Sequence, residues 1–171
     1  MENRHLSKYF QQAIPIHRIK KLSTDQHSGV GKLMRENYPN IKHTNDIWHV
    51  VKNLKKRLTN TKRPIILKWI PMLCNHMWFC INNCNDDENL LKEMWLSTLQ
   101  HITNKHRWRG FKLYKKCSHS KLSKEEKLSK PWIKRSSKDF NILSEIVTRK
   151  GLLSVLPKVS LILIIKLIIS V

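Results

Sequence analysis

Acidic residues are scarce in this chain of 171 residues, and their scarcity limits what the protein can be. Twelve Asp and Glu stand against 33 Lys and Arg, which gives a formal net charge of +21. A charge so far from zero favours association with polyanions, either nucleic acid or an anionic membrane surface. Only four Gly and six Pro are present, which excludes collagen-like and linker-dominated chains. The 40% apolar content and six Trp exclude a wholly disordered basic tail.

Long apolar runs are missing near the start of the chain, and cysteines are few. The first twenty residues hold no run that predicts a secretory signal peptide. We therefore expect the four Cys residues to be thiols or metal ligands in a reducing compartment. One apolar stretch lies at the other end, where ten of the thirteen residues 159–171 are aliphatic. Because a bilayer span needs ~20 apolar residues, we interpret it as an exposed or strand-forming tail, with a membrane anchor as the alternative.

Hydrophobic periodicity predicts a mainly helical chain with a small α/β portion near its start. Short strands are predicted at 17–24 and 40–45, with a helix between them at 26–37. Apolar residues at helical spacing predict further helices at 47–59, 65–82, 87–105 and 137–150. Pro71 is expected to break or bend one of these helices, and Gly151 to cap the last.

Two basic stretches are candidates for nucleic-acid binding. Residues 52–68 hold seven Lys and Arg and no acid, while residues 105–138 hold thirteen with only two acids. The second stretch is predicted to be loop, with a short helix around Lys124 and interleaved aromatic residues. Basic side chains neutralise phosphates, and aromatic rings beside them can stack on unpaired bases; a solvated basic face is the alternative. The predicted nucleic-acid contacts are Lys52, Lys55, Lys56, Arg57, Lys112, Lys115, Lys116, Lys134 and Arg135.

Two acidic residues follow the predicted strands. Asp25 comes after the first strand, and Asp46 comes after the second, with His49 three positions on. Strand ends of open sheets present carboxylates to metals and phosphates. Each Asp is also well placed to cap the helix that follows it. Taken locally, the pattern favours the capping role for both.

A set of cysteines and one histidine could hold zinc. Cys80 and Cys84 lie one helical turn apart, and Cys117 and His119 follow much later in the chain. Three thiolates and one imidazole form an acceptable tetrahedral zinc set, for which Cys74 and His76 would compete. Buried free Cys is also common in protein cores, so zinc ligands and core residues both remain open interpretations.

Several motifs occur in an order that resembles a known group of proteins. They are KLSTDQH, RENYPNIKHTNDIWHVVKNLKKRL, NHMWFCINNC, LLKEMWLSTLQHITNKHRW, KKCSHS and LLSVLPKVS. Over residues 19–160 they resemble transposase-derived proteins of the DDE type, in the group of Kolobok-like, hAT-like and P-like elements. The resemblance implies a ribonuclease H-like catalytic domain with an all-helical insertion, in which three carboxylates hold two divalent ions such as Mg²⁺.

Carried over to this chain, the resemblance assigns roles to the same acidic residues. Asp25 would be a residual metal-binding carboxylate, and Asp46 with His49 would be the family's [C/D]-x-x-H motif. The first Asp and the final Glu of the family have no counterpart, because Glu2 is the sole acid before Asp25 and none follows position 160. One carboxylate of three cannot hold two metal ions in place. The resemblance therefore implies a catalytically incomplete, truncated chain rather than an enzyme.

The expected organisation depends on this resemblance. Residues 1–58 would form a partial ribonuclease H-like segment with about two short strands, residues 59–158 a helical insertion with a basic loop, and residues 159–171 an apolar tail that reads as unrelated or frameshifted. We expect mostly non-specific DNA binding in the nucleus, no cofactor of its own, and a full-length relative as a further partner. The alternatives are a small membrane-associated basic protein that uses the apolar tail, and a zinc-stapled protein-interaction module.

Overall fold

The computed structural model describes residues 21–24 and 28–160. These residues divide into two units. The first comprises the described residues up to 49 together with 158–160, and the second is Val50–Pro157. The division falls between residues 49 and 50, earlier in the chain than the expected boundary between 58 and 59.

The described part of the first unit contains a β-α-β segment. Strand β1 (Lys21–Thr24) is followed by helix α1 (Ser28–Asn37) and strand β2 (Lys42–Asp46), close to their predicted positions. The two strands pair in parallel over four residues, so α1 serves as the crossover that parallel neighbours require. A small core consists of three buried side chains against which Tyr38 packs: Val30, Met34 and Ile41.

A third strand of two residues completes this sheet. Strand β3 (Val159–Ser160) pairs in parallel with β2, which gives the order β1-β2-β3. The first two residues of the expected apolar tail therefore belong to the sheet, and residues 161–171 lie outside the described part. Between β2 and β3 the chain passes through residues 47–158. A long, mainly helical segment is thus inserted in sequence between two paired strands.

The remaining helices account for most of the described chain. They are α2 (Ile47–Asn60), α3 (Pro64–Asn83), α4 (Glu88–Leu96), α5 (Thr98–His101), α6 (Lys124–Ser129), α7 (Lys138–Val147) and α8 (Lys150–Val155), followed by a 3-10 turn at Leu156–Lys158. The helical core of the second unit is built from fully buried apolar side chains, among them Leu58, Ile66, Leu73, Met77, Trp95, Ile102 and Leu143. A mainly α class is confirmed.

Helix α3 continues through Pro71, so of the expected break or bend the break is wrong. An interior proline costs ~3 kcal/mol or more, but α3 buries six side chains, each of which contributes about 1.5–3 kcal/mol. The buried residues are Ile66, Trp69, Ile70, Leu73, Met77 and Cys80. Among the described helices, α3 is also long and apolar enough to cross a membrane, a property that core helices of soluble proteins share.

Two other helix ends differ from their predictions. The helix predicted at 87–105 is divided, because α4 ends at Leu96 and α5 ends at His101. At the junction the buried Ser97 hydroxyl donates a 2.7 Å hydrogen bond to Met94 O, and such local bonds compete with regular helix. Gly151 lies inside α8 and does not cap α7, which ends at Val147 with Thr148 as its C-cap.

Candidate metal centre and basic surface

Three imidazoles and one thiol converge where α5 ends. His101 is the last residue of α5, and His106, Cys117 and His119 come from the loop that follows it. The ligand atoms of all four residues lie within 4.8 Å of one another. His101 Nδ1 is 3.3 Å from Cys117 Sγ, and the three imidazole centroids are 5.0–5.2 Å apart in edge-on contacts. Nitrogen and sulfur donors in this number are the set that tetrahedral zinc prefers.

A short hairpin, residues 106–117, brings two of these side chains together; we call it the basic hairpin. Arg107 and Lys116 form an antiparallel bridge, and Cys117 N–H donates to His106 O at 3.0 Å. His106 and Cys117 are therefore neighbours across the two arms of the hairpin. At the turn, Gly110 adopts φ +97°, in the left-handed region that glycine enters at no steric cost.

In His106 and His119, one ring nitrogen forms a hydrogen bond to an oxygen outside the group of four, and the other ring nitrogen remains available to bind a metal. His106 Nε2 lies 3.1 Å from Asn104 Oδ1, and His119 Nδ1 lies 2.6 Å from Ser120 O. Because both oxygens are acceptors, these ring nitrogens carry the protons, and His106 Nδ1 and His119 Nε2 carry lone pairs. His106 Nδ1 is buried and has no hydrogen-bond partner among the described residues. A buried polar atom without a partner is costly, and a bound cation would remove that cost.

The surroundings hold two of these imidazoles, those of His101 and His106, in their neutral form. Burial, followed by the charges that His106 and His119 would carry, lowers the pKa of His101 to about 3. The pKa of His106 is also lowered, by burial first and then by His119. Burial raises the pKa of the Cys117 thiol to about 11. Neutral imidazole is the form that binds a metal, and a coordinating divalent cation would itself deprotonate the thiol.

Two indole rings enclose one side of this group. The Trp132 centroid is 5.8 Å from the rings of two of the histidines, and the Trp69 centroid is 5.9 Å from that of His101. Both indole N–H groups are fixed, since Trp69 Nε1 donates to Pro131 O at 2.7 Å and Trp132 Nε1 donates to Lys127 O at 2.6 Å. The imidazoles therefore rest against an ordered apolar wall.

Glu93 on α4 anchors the turn of the basic hairpin. Its Oε1 accepts the N–H of Lys112 at 2.9 Å, and its Oε2 accepts the N–H groups of Leu113 and Tyr114 at 2.6 and 2.8 Å. Burial by itself would raise the pKa of Glu93, but the three backbone donors and the Lys112 charge together lower it. The ionised carboxylate thus ties three successive residues of the turn to the helical core.

An open concavity of about 880 Å³ lies beside the hairpin; we call it the basic concavity. Its lining residues are Gln100, Lys105, Arg107, Trp108, Arg109, Lys115 and Arg135. Five of these seven are cationic, and the lining contains no acid. Arg135 Nη1 donates to Gln100 Oε1 at 3.3 Å, and its guanidinium lies 5.8 Å from the Phe140 ring. This cation is therefore held in place at the rim.

The aromatic residues of the hairpin pack mainly on one another. The Trp108 ring lies 5.8 Å from the Tyr114 ring and 6.2 Å from the Phe111 ring. Trp108 Nε1 also donates to Tyr114 O. These contacts pack the three half-buried rings against one another, so part of each ring surface is already occupied within the hairpin. Trp108 nevertheless contributes to the lining of the basic concavity.

Comparisons with known proteins identify no relative. No model of a protein family, no curated protein and no solved structure matches this chain. The function is therefore inferred from the residues and geometry of the site itself.

Two of the four predicted zinc ligands, Cys117 and His119, lie in the group of four. Cys80 and Cys84 do not, and their predicted role as ligands is corrected: both are buried, Cys80 on the inner face of α3 and Cys84 directly after it. Their side chains belong to the apolar core of the second unit. The other two members of the group are His101 and His106, which were not predicted as ligands. The spacings H-x4-H and C-x-H are the sequence signal that could have indicated the observed set.

The predicted competitors for this site, Cys74 and His76, are also outside the group. His76 Nε2 hydrogen-bonds to Met94 O at 2.8 Å, and burial lowers its pKa. Burial raises the pKa of the half-buried Cys74 thiol. Both side chains sit on α3, and His76 is engaged with α4.

The nine predicted nucleic-acid contacts are all exposed, but only Lys115 and Arg135 line the basic concavity. The other seven lie elsewhere on the second unit: Lys52, Lys55, Lys56, Arg57, Lys112, Lys116 and Lys134. Sequence reasoning missed three cations that complete the lining: Lys105, Arg107 and Arg109. The hairpin pairing brings them together, and no local pattern signals it.

The acidic motif residues fall in the first unit. Asp46 Oδ1 accepts the N–H of Trp48 at 2.9 Å, so Asp46 caps α2 as the local pattern predicts. Its other oxygen lies 3.9 Å from His49 Nε2, which brings the two members of the D-x-x-H motif together. Asp25 lies outside the described residues.

Proposed function

We propose that this chain is a DNA-binding protein, derived from a DDE-type transposase, that holds the phosphate backbone in its basic concavity. The observation that carries the proposal is the convergence of five cations on a surface without a carboxylate. They are Lys105, Arg107, Arg109, Lys115 and Arg135. Like charges held close together repel one another, and a polyphosphate strand removes that repulsion while it releases its own counterions.

The transposase-like origin has separate support in the first unit. A helical segment interrupts a parallel sheet between β2 and β3, which is the arrangement expected of a ribonuclease H-like domain with an insertion. Asp46 follows β2, and His49 lies one helical turn further on. We propose that residues 1–171 bind DNA without themselves joining or cutting it, because Asp25 alone of the expected trio of carboxylates has a counterpart among them. The proposed location is the nucleus.

The salt dependence of binding tests this function. Fluorescence anisotropy of the full chain with a labelled duplex of mixed sequence would be recorded over a series of KCl concentrations. If all five cations neutralise phosphates, log K falls against log[KCl] with a slope of about −4.5. The single variants Arg107→Ala and Arg135→Ala are each expected to reduce that slope by about 1.

Two further cations serve as matched controls. Lys121 and Lys124 are exposed, follow the basic hairpin closely in the chain and do not line the basic concavity. Lys121→Ala and Lys124→Ala should leave the slope nearly unchanged. Absence of binding at low salt, or an equal loss in the control variants, would overturn the proposal. Mg²⁺-dependent nicking of the duplex that Asp25→Asn abolishes would refute the catalytically incomplete interpretation.

A further inference from the structure

We infer that His101, His106, Cys117 and His119 form a structural zinc site. Zinc binds nitrogen at ~2.0–2.1 Å and sulfur at ~2.3 Å in tetrahedral geometry, so its ligand atoms lie about 3.3–3.6 Å apart. The 3.3 Å separation of His101 Nδ1 and Cys117 Sγ already has that value. The remaining ligand atoms lie within 4.8 Å, so a movement of about 1 Å brings them to coordination distance.

The outer hydrogen bonds of the rings have the arrangement that metal-binding histidines use. Such a histidine donates its other N–H to a carbonyl or carboxylate, which fixes the tautomer and the orientation of the ring. Asn104 serves His106 in this way, and the Ser120 carbonyl serves His119. Asn104 adopts φ +60°, a left-handed conformation that Asn tolerates better than most residues. The buried lone pair on His106 Nδ1 then has a cation as its partner.

The donor set identifies the class of ion and its role. Three imidazoles and a thiolate are too soft a set for Mg²⁺ or Ca²⁺, which take oxygen ligands. Four ligands from the protein fill a tetrahedral shell and leave no position for water or substrate, as in structural rather than catalytic zinc sites.

The ligands also show what the ion holds together. His101 ends α5, His106 and Cys117 belong to the two arms of the basic hairpin, and His119 follows directly after it. The ion would therefore fix the hairpin that carries Arg107, Arg109 and Lys115 of the basic concavity. Zinc would therefore stabilise the part of the basic concavity that the hairpin provides. The metal site itself is argued from its four ligands and does not depend on the proposed DNA binding.

Metal content and a cobalt spectrum test the site on the full chain. Protein purified without chelator should carry one zinc per chain by elemental mass spectrometry. Replacement by Co²⁺ should give the visible bands of tetrahedral cobalt and a sulfur-to-cobalt charge-transfer band. Cys117→Ser should lose that charge-transfer band. The matched control Cys74→Ser, which removes a half-buried thiol outside the group, should keep it.

A milder variant guards against loss of folding. Asn104→Gly keeps a residue that accepts positive φ and removes only the outer hydrogen bond to His106. Zinc affinity should fall about 10- to 100-fold, while far-ultraviolet circular dichroism stays unchanged.

The zinc site and the proposed DNA binding can be refuted independently of each other. Folded wild-type protein without stoichiometric zinc and without tetrahedral cobalt bands would overturn the metal site, as would an equal loss of the charge-transfer band in Cys74→Ser. Stoichiometric zinc in a protein that does not bind DNA would leave the site standing and refute only the proposed function.

Discussion

Replacement of Glu93 by Gln should release the turn of the basic hairpin from the helical core. The carboxylate accepts three successive backbone N–H groups, those of Lys112, Leu113 and Tyr114. A glutamine amide of the same shape offers one oxygen, which can still accept from two of them. Its NH₂ group would then face the third N–H, and two donors cannot form a hydrogen bond.

The expected cost can be worked from these bonds. A hydrogen bond to a charged group contributes about 1.5–3 kcal/mol, and a neutral one about 0.5–1.5 kcal/mol. Loss of one bond and weakening of two would amount to ~3.5–6 kcal/mol in a dry site. Because Glu93 is half-buried and water can replace part of the loss, we expect the free energy of unfolding to fall by about 1–3 kcal/mol.

The stability difference between wild type and Glu93→Gln is also expected to depend on pH. The pKa of Glu93 is lowered in the folded protein, so its contribution is complete above the unfolded value, about 4.3. That contribution is lost as the pH falls through the lower folded value. The difference in stability between wild type and Glu93→Gln should therefore be largest near pH 7 and should narrow at acid pH.

Urea denaturation of both proteins across this pH range, followed by circular dichroism, measures the difference. Glu145→Gln is the matched control, because Glu145 is exposed on α7 and surface substitutions usually change stability by no more than about 0.5 kcal/mol. Our account of the turn is wrong if Glu93→Gln behaves like this control at pH 7. It is equally wrong if the difference between the two proteins stays constant down to acid pH.

Two further substitutions test the helical core. Trp95 is fully buried and its Nε1 donates to Val147 O at 2.9 Å, so Trp95→Ala should lower the free energy of unfolding by about 3–5 kcal/mol. The control Trp48→Ala, at a residue that is 52% exposed, should change the free energy of unfolding little. Equal effects of the two substitutions in thermal denaturation would contradict the packing described. Arg63 Nε donates to Asp139 Oδ1 at 2.6 Å, and this bond lowers the pKa of Asp139. Asp139→Asn should therefore destabilise the protein at neutral pH, and its difference from wild type should vanish as the pH falls through the lowered pKa; a pH-independent difference would refute the ion pair.

Regular helices with an apolar stripe could be predicted from the sequence because their information is local. The spacing of Val50, Leu54 and Leu58 predicts α2, and all three side chains are buried. The helix predicted at 87–105 starts at Asp87, whose carboxylate accepts the N–H groups of two residues in the first turn of α4. Capping and periodicity act within one or two turns, so one sequence is sufficient to read them.

The metal group could not be predicted because its geometry depends on pairing across a loop. His106 meets Cys117 only when Arg107 pairs with Lys116, and Glu93 on a distant helix holds the turn of that hairpin. The zinc set predicted from the sequence is based instead on Cys80 and Cys84, which have helical spacing. That spacing reflects the buried face of a helix, and both thiols are apolar core residues. A spacing of one helical turn therefore did not distinguish core residues from metal ligands.

The four members of the His/Cys group lie close together along the chain, and this affects how much a bound ion can contribute through entropy. His101 and His119 are 18 positions apart, whereas Cys80 and His119 are 39 apart. Cross-linking a longer ring removes more freedom from the unfolded chain, but each doubling of length adds only about 0.6 kcal/mol. Ring size therefore hardly distinguishes the two ligand sets, and side-chain placement selects the shorter ring.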